Sequence, residues 1–121
     1  MGLPGDFVWG VAGSDVLARG AAPRSDWRRW EEKHQLESSG YGIGFVTSSD
    51  SDDFERLAQL GLQHLAITAE WARIEPYGGS VESAELERLV EVFGAARTAG
   101  LQPWAILHHG SLPGWFSEDT E

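Results

Sequence analysis

Apolar positions change period along this chain. Three short apolar runs, Phe7 to Ala12, His64 to Thr68 and Pro103 to His108, each fit a buried strand. Between the second and third runs, and before the second, apolar residues recur every three or four positions instead. Phe54, Leu57, Ala58 and Leu60 do so ahead of Gly61, which predicts a helix over 52–60. Ser49, Asp50, Ser51 and Asp52 match a capping box in its Asp form at that helix's start. A second helix is expected over 84–99, capped by Ser83 and stopped by Gly100. Its inner face would be Leu86, Leu89, Val90, Phe93 and Ala96, with Glu85, Glu87, Arg88, Glu91 and Arg97 outward. The intervals read as loops: small residues over 13–22, mixed charges with no more than a single helical turn over 23–37, a Gly- and Ser-rich stretch over 38–49, and a turn over 75–81 with Pro76, Gly78 and Gly79.

The order is therefore strand, helix, strand, helix, strand. Apolar strands alternating with amphipathic helices imply right-handed βαβ units and a parallel sheet. Three strands and two helices are not a finished α/β architecture. A closed barrel of this type takes eight such units and roughly 200 residues or more, against 121 here. Two helices would cover only part of the sheet and leave both edges open. Two readings follow: the chain is the first part of a larger barrel, incomplete as a domain over 1–121, or a second chain covers it. No linker or internal repeat divides it.

Composition narrows the partners. The net charge is -10 with no basic stripe, which speaks against nucleic acid and anionic membranes, since both need clustered Lys and Arg. The N-terminus has neither the basic nor the apolar region of a secretory signal, and no apolar run approaches the roughly 20 residues of a membrane helix. There is no cysteine, hence no disulfide framework, thiol nucleophile or Cys-ligated metal; this fits a cytoplasmic protein. Six tryptophans suit either core packing or platforms for sugar rings, and their number does not choose between the two.

Candidate chemistry stands just past the three strands. After the first come Ser14, Asp15, Leu17 and Arg19; after the second, Glu70, Trp71 and Arg73; after the third, His108, His109 and Ser111. In a parallel barrel these ends converge on the face where active sites form. The plain alternative is that Trp71 is core and that Arg73 pairs with Glu70 or Glu75. Adjacent His108 and His109 on a strand would point to opposite faces and so would not share an ion, and no metal site is expected. A Ser14, His109 and Asp15 triad can be written down, but no nucleophile-elbow pattern supports it. Gly40 to Gly44 lacks the spacing of a phosphate loop.

Four blocks carry a resemblance. They are Phe7 to Ala12, Asp26 to Glu31, Glu70 to Pro76, and Leu107 to Phe116. In order and rough spacing they resemble the N-terminal third of family 1 glycoside hydrolases, the β-glucosidase and β-galactosidase type. The resemblance covers nearly the whole chain. It implies a (β/α)8 barrel that hydrolyses β-glycosides with retention and without a cofactor. That chemistry uses two carboxyl groups about 5 Å apart, a nucleophile and an acid/base. In the family both are glutamates on later strands, so neither matches a residue of this chain, and neither Glu70 nor Glu75 takes their place. Arg73 matches the arginine beside the nucleophile, where a fixed cation keeps a carboxylate ionised. His109 matches the histidine that hydrogen-bonds a hydroxyl of the glycone.

Departures are equally specific. Leu17 stands where the family has a glycone-clamping glutamine, and leucine makes neither of its hydrogen bonds. Arg19 stands in place of a glutamate. Gly110 replaces the aromatic after the pocket histidine, and Ser111 the Asp or Thr after that. The resemblance thus implies the N-terminal part of a retaining β-glycosidase-like protein with an altered sugar pocket, its partner a β-glycoside once the barrel is whole. A non-catalytic sugar-binding or interaction module from the same barrel is the alternative.

Overall fold

The structure, a computed structural model, describes residues 2–40, 42 and 51–117. The elements run β1 (Gly10–Ala12), α1 (Asp15–Arg19), α2 (Asp26–Lys33), α3 (Ser51–Gln59), β2 (His64–Thr68), α4 (Trp71–Ile74), α5 (Ser83–Thr98) and β3 (Gln102–Ile106). The three strands form one parallel sheet in the order β1-β2-β3. Val11 sits beside Leu65 and Leu65 beside Pro103; one step on, Ala12, Ala66 and Trp104 align.

Burial along β2 alternates. Leu65 and Ile67 are 1% and 3% exposed, while His64, Ala66 and Thr68 are only partly covered. Side chains of successive strand residues point to opposite faces, so β2 is dry on one face and not on the other, while Val11 and Ala105, level with Leu65 and Ile67 on the edge strands, stay exposed. The dry face packs on α3 and α5. Phe54 of α3, Leu89, Val92 and Ala96 of α5, and Leu101 before β3 close over Leu65 and Ile67 to form the core, with Ala18 of α1 at its edge. On the other face Trp104 is 58% exposed, its indole N–H donating to His64 Nδ1 at 2.5 Å. No described element covers that face.

Against the sequence pattern, β2 spans the residues assigned to it, and α3 nearly so. β1 is shorter than the apolar run, because only Gly10 to Ala12 pair with β2. Trp9 O instead accepts from both Gln63 and His64 N–H, and Phe7 stacks edge-on against Trp9. A Cβ on Gly10 would lie 2.9 Å from His64 Cβ, so only glycine lets the two strands approach here.

Two short helices, α1 and α4, were not expected, and a third, α2, exceeds the single turn allowed for it. α1 starts where Ser14 caps it, Oγ accepting from Leu17 N–H at 3.2 Å. α2 is two turns, not one, and the buried Ser25 caps it by accepting from Arg28 N–H at 3.1 Å. Both caps were in the sequence as Ser-Asp pairs, but neither was followed by a long apolar period. α4 is a single turn after β2. Ser83 is the first residue of α5 rather than its cap; Glu82 occupies the cap position and makes no side-chain bond there. On α5 Val92 is fully buried, whereas Val90 is 73% and Leu86 42% exposed. The helix is therefore rotated from the expected face, and Leu89, Val92 and Ala96 form its inner stripe. The Ser49 part of the predicted capping box lies outside the described residues.

The corrected face is testable by equilibrium urea unfolding. Val92→Ala should lower stability by about 1.5 kcal/mol, two buried methyl groups at about 0.8 each. Val90→Ala should change it by less than about 0.5 kcal/mol, as at exposed positions generally. Equal losses at both positions would contradict the packing.

Candidate functional site

The carboxyl ends of all three strands do lie together. Ala69 N–H donates to Ile106 O at 2.9 Å and Thr68 Oγ1 to Gly13 O at 3.4 Å, tying the segments that leave β2, β3 and β1. Beyond those ties stands a cluster of ions. Glu70 is 3% exposed. Its Oε2 accepts from Arg73 Nε at 2.6 Å and lies 3.6 Å from Arg19 Nη1. Arg73 Nη2 also donates to the backbone oxygens of Gly20 (2.9 Å) and Arg19 (3.3 Å), the end of α1. Arg19 pairs in addition with Glu85 of α5, which Arg88 Nη2 reaches at 2.6 Å. The network thus binds α1, α4 and α5 through two carboxylates, Glu70 and Glu85, bridged by Arg19.

Glu70 Oε1 is buried without a hydrogen-bond partner among the described residues. Burial raises the Glu70 carboxyl above its ordinary 4.5, with the charges of Arg73 and Arg19 opposing the rise. Desolvation wins because two nearby cations in a dry site do not fully replace water around a carboxylate. Glu85 goes the other way. Burial pushes it up, but hydrogen bonds from Arg88 and Arg19 outweigh that and hold it below 4.5. A cavity of about 20 Å³, large enough to admit one water, lies beside Glu70, Asp15, Arg19 and Thr68.

Beyond β2, Glu75 does not meet Arg73. It accepts from the Trp71 indole at 2.8 Å and from Gly79 N–H at 2.7 Å, which lower its carboxyl. The Trp115 indole donates to Glu75 O at 2.8 Å, and Trp71 packs against Trp115 and Phe116. The open pairing of Arg73 with Glu70 or Glu75 is thereby settled for Glu70.

After β3 the chain turns outward. His108 and His109 are exposed. Gly110 has φ +89°, a left-handed conformation that suits glycine. Ser111 is buried, and its hydroxyl donates to Asp15 Oδ2. The triad written from the sequence is not assembled: Ser14 Oγ caps α1 and Asp15 binds Ser111. Leu17 is 63% exposed. Of the residues singled out, Arg73 is inside the ion network, while His109, Gly110 and Leu17 are each exposed. The sequence reading missed that Glu70 is the hub, although the i,i+3 spacing of Glu70 and Arg73 carried that signal.

No protein-family model matches the chain. It is 30% identical to the coniferin β-glucosidase of Pinus contorta over 95% of this chain and 26% of that one. A solved apo β-glucosidase, 1317, superposes with a TM-score of 0.77 at 30% identity, over 92% of this chain and 28% of that one. The family 1 β-glucosidase of Thermotoga maritima superposes at 0.75 over 95% and 28%; at 22% identity this likeness speaks for the fold. The chain corresponds to the N-terminal part of the family 1 glycoside hydrolase barrel. It spans about a quarter of the length of the curated relatives it matches.

Seen as part of that barrel, the three-stranded sheet is an arc of the barrel wall, with α3 and α5 outside it. α1, α2 and α4 are local structure in the segments that follow β1 and β2. The ion network lies at the carboxyl end of this arc.

The two carboxylates at the network's centre have opposite pH signatures. Glu85, lowered, contributes stability that is complete above 4.5 and lost as pH falls through its folded value. Glu70, raised, contributes stability that is complete below 4.5 and lost as pH rises through its folded value. Urea midpoints measured against pH should therefore fall less steeply on the acid side in Glu85→Gln than in the parent, and less steeply above 4.5 in Glu70→Gln. Unchanged slopes in both variants would contradict the assignment.

Proposed function

We propose that these 121 residues supply the N-terminal arc of a retaining β-glycosidase-type barrel, incomplete as a domain, and that they contribute to a sugar site without performing hydrolysis themselves. The similarity to β-glucosidases over almost the whole chain but only about a quarter of theirs carries this reading. The sheet face left bare by the described elements supports it, because parallel sheets are normally covered on both faces. The rest of the barrel would come from further sequence or from a second chain.

In this reading the paired glutamates that retention chemistry requires lie outside the chain. His109, exposed on the loop after β3, faces the glycone and hydrogen-bonds one of its hydroxyls. Arg73 is fixed by Glu70 and the end of α1, so it would offer an immobile positive charge to a carboxylate brought in by later strands. Leu17, largely exposed, gives that pocket an apolar patch, and Gly110 leaves a gap in its wall. A site that hydrogen-bonds a substrate discriminates through those bonds, so the sugar preference differs from that of enzymes with a polar clamp at position 17.

The same two departures favour a second reading, a sugar-binding module that has left catalysis behind. Two measurements separate the cases. The pure chain should show no turnover of an aryl β-glucoside; turnover would contradict the placement of the carboxylates elsewhere. Titration with millimolar glucose, followed by tryptophan fluorescence, should shift the emission if the arc alone binds sugar. A flat titration would contradict the binding-module reading.

A further inference from the structure

Five backbone and side-chain ties fasten the segment after β3 to the α1–α2 region. Leu112 exchanges two bonds with Asp26, its N–H donating to Oδ1 and its O accepting from Asp26 N–H, both at 2.9 Å. Gly114 N–H donates to Arg24 O at 2.7 Å, and Gly114 O accepts from Arg29 Nη1 at 2.7 Å. The fifth is the Asp15–Ser111 bond, and it differs from the others. It joins two side chains 96 positions apart, Asp15 3% and Ser111 4% exposed. The other carboxylate oxygen of Asp15 accepts from Val16 N–H at 2.7 Å.

This bond sits directly beneath the turn that carries His109. A Cβ on Gly110 would lie 3.8 Å from Asp15 Oδ1, so the carboxylate underlies the glycine between His109 and Ser111. On the upstream side, the last tie of β3 is Ile106 O to Ala69 N–H. Residues 107–110 thus form an arch, footed on Ile106 and on Ser111. A buried hydrogen bond to a carboxylate is strong, and removing the Ser111 hydroxyl leaves Asp15 Oδ2 buried without that donor. Such a group would draw water or the chain itself into the space under the turn.

We infer that Asp15 and Ser111 are positioning residues for His109: their buried bond fixes the arch that presents the imidazole. The inference rests on the reading of His109 as the sugar-facing group, and it deepens that reading. It also gives a role to the serine and aspartate that stand at positions 111 and 15.

The test is two-dimensional NMR of the histidine rings in the full chain, recorded for the parent, Ser111→Ala, Ser111→Thr and Asp15→Ala, alongside melting temperatures. The parent should show one His109 ring signal. Ser111→Ala and Asp15→Ala should displace or split it, with His34 and His64 signals unmoved, and Ser111→Thr, which keeps the hydroxyl, should restore it. A His109 signal unmoved in Ser111→Ala, whatever the melting temperature, would overturn the inference and leave the bond a purely structural tie. So would a displaced signal that threonine fails to restore. Should Asp15→Ala not fold, the two Ser111 variants decide alone. The readout contains no sugar, so a flat sugar titration beside an intact clamp would count against the binding reading only.

Discussion

A parallel strand carries side chains on both faces, and β2 has a packed layer on only one. Leu65 and Ile67 are dry under α3 and α5, while Ala66 and Thr68 on the opposite face are only partly covered and Trp104 beside them on β3 is largely exposed. Burial of apolar area at about 25 cal/mol per Å² is the main favourable term in folding, and here the face that carries Trp104 leaves part of it untaken. Everything else in the molecule is arranged around that asymmetry. The helices lie outside, the bare face looks the other way, and the segments that leave β1, β2 and β3 meet at one end.

That meeting point is held by charge rather than by apolar packing. Glu70, Arg73, Arg19, Glu85 and Arg88 form one chain of contacts from α1 to α5. Such a network does not add much net stability, because desolvation offsets much of the attraction. It fixes geometry instead. The left-handed turn at Gly110 and the Asp15–Ser111 bond do the same for the loop after β3. Arg73 is thereby tied within the network, and His109 stands exposed on that loop.

Much of this was legible in the sequence. The period change located β2, α3 and α5 nearly to the residue, because a run of consecutive apolar positions and a 3.6-residue repeat are distinct signals. The strand-helix alternation gave a parallel sheet and an unfinished barrel. The four motif blocks pointed to family 1 glycoside hydrolases, and the similarity to β-glucosidases agrees. The short helices were not legible. α1 and α4 are five and four residues long, too short to show a period, and only their caps or ion pairs marked them. The face of α5 was misjudged because Val90 and Val92 are equally apolar; which of them is buried depends on where α3 and β2 lie. Long-range pairs such as Asp15 with Ser111 leave no mark in local spacing at all.

The central claim is that the bare sheet face belongs to a larger barrel. The most direct measurement is the intact mass of the protein isolated from its native source. The account predicts a mass about four times that of the 121-residue chain, since the chain spans about a quarter of its relatives, or a complex with a second chain that supplies the difference. A 121-residue product that is monomeric and unfolds in one cooperative step would contradict it.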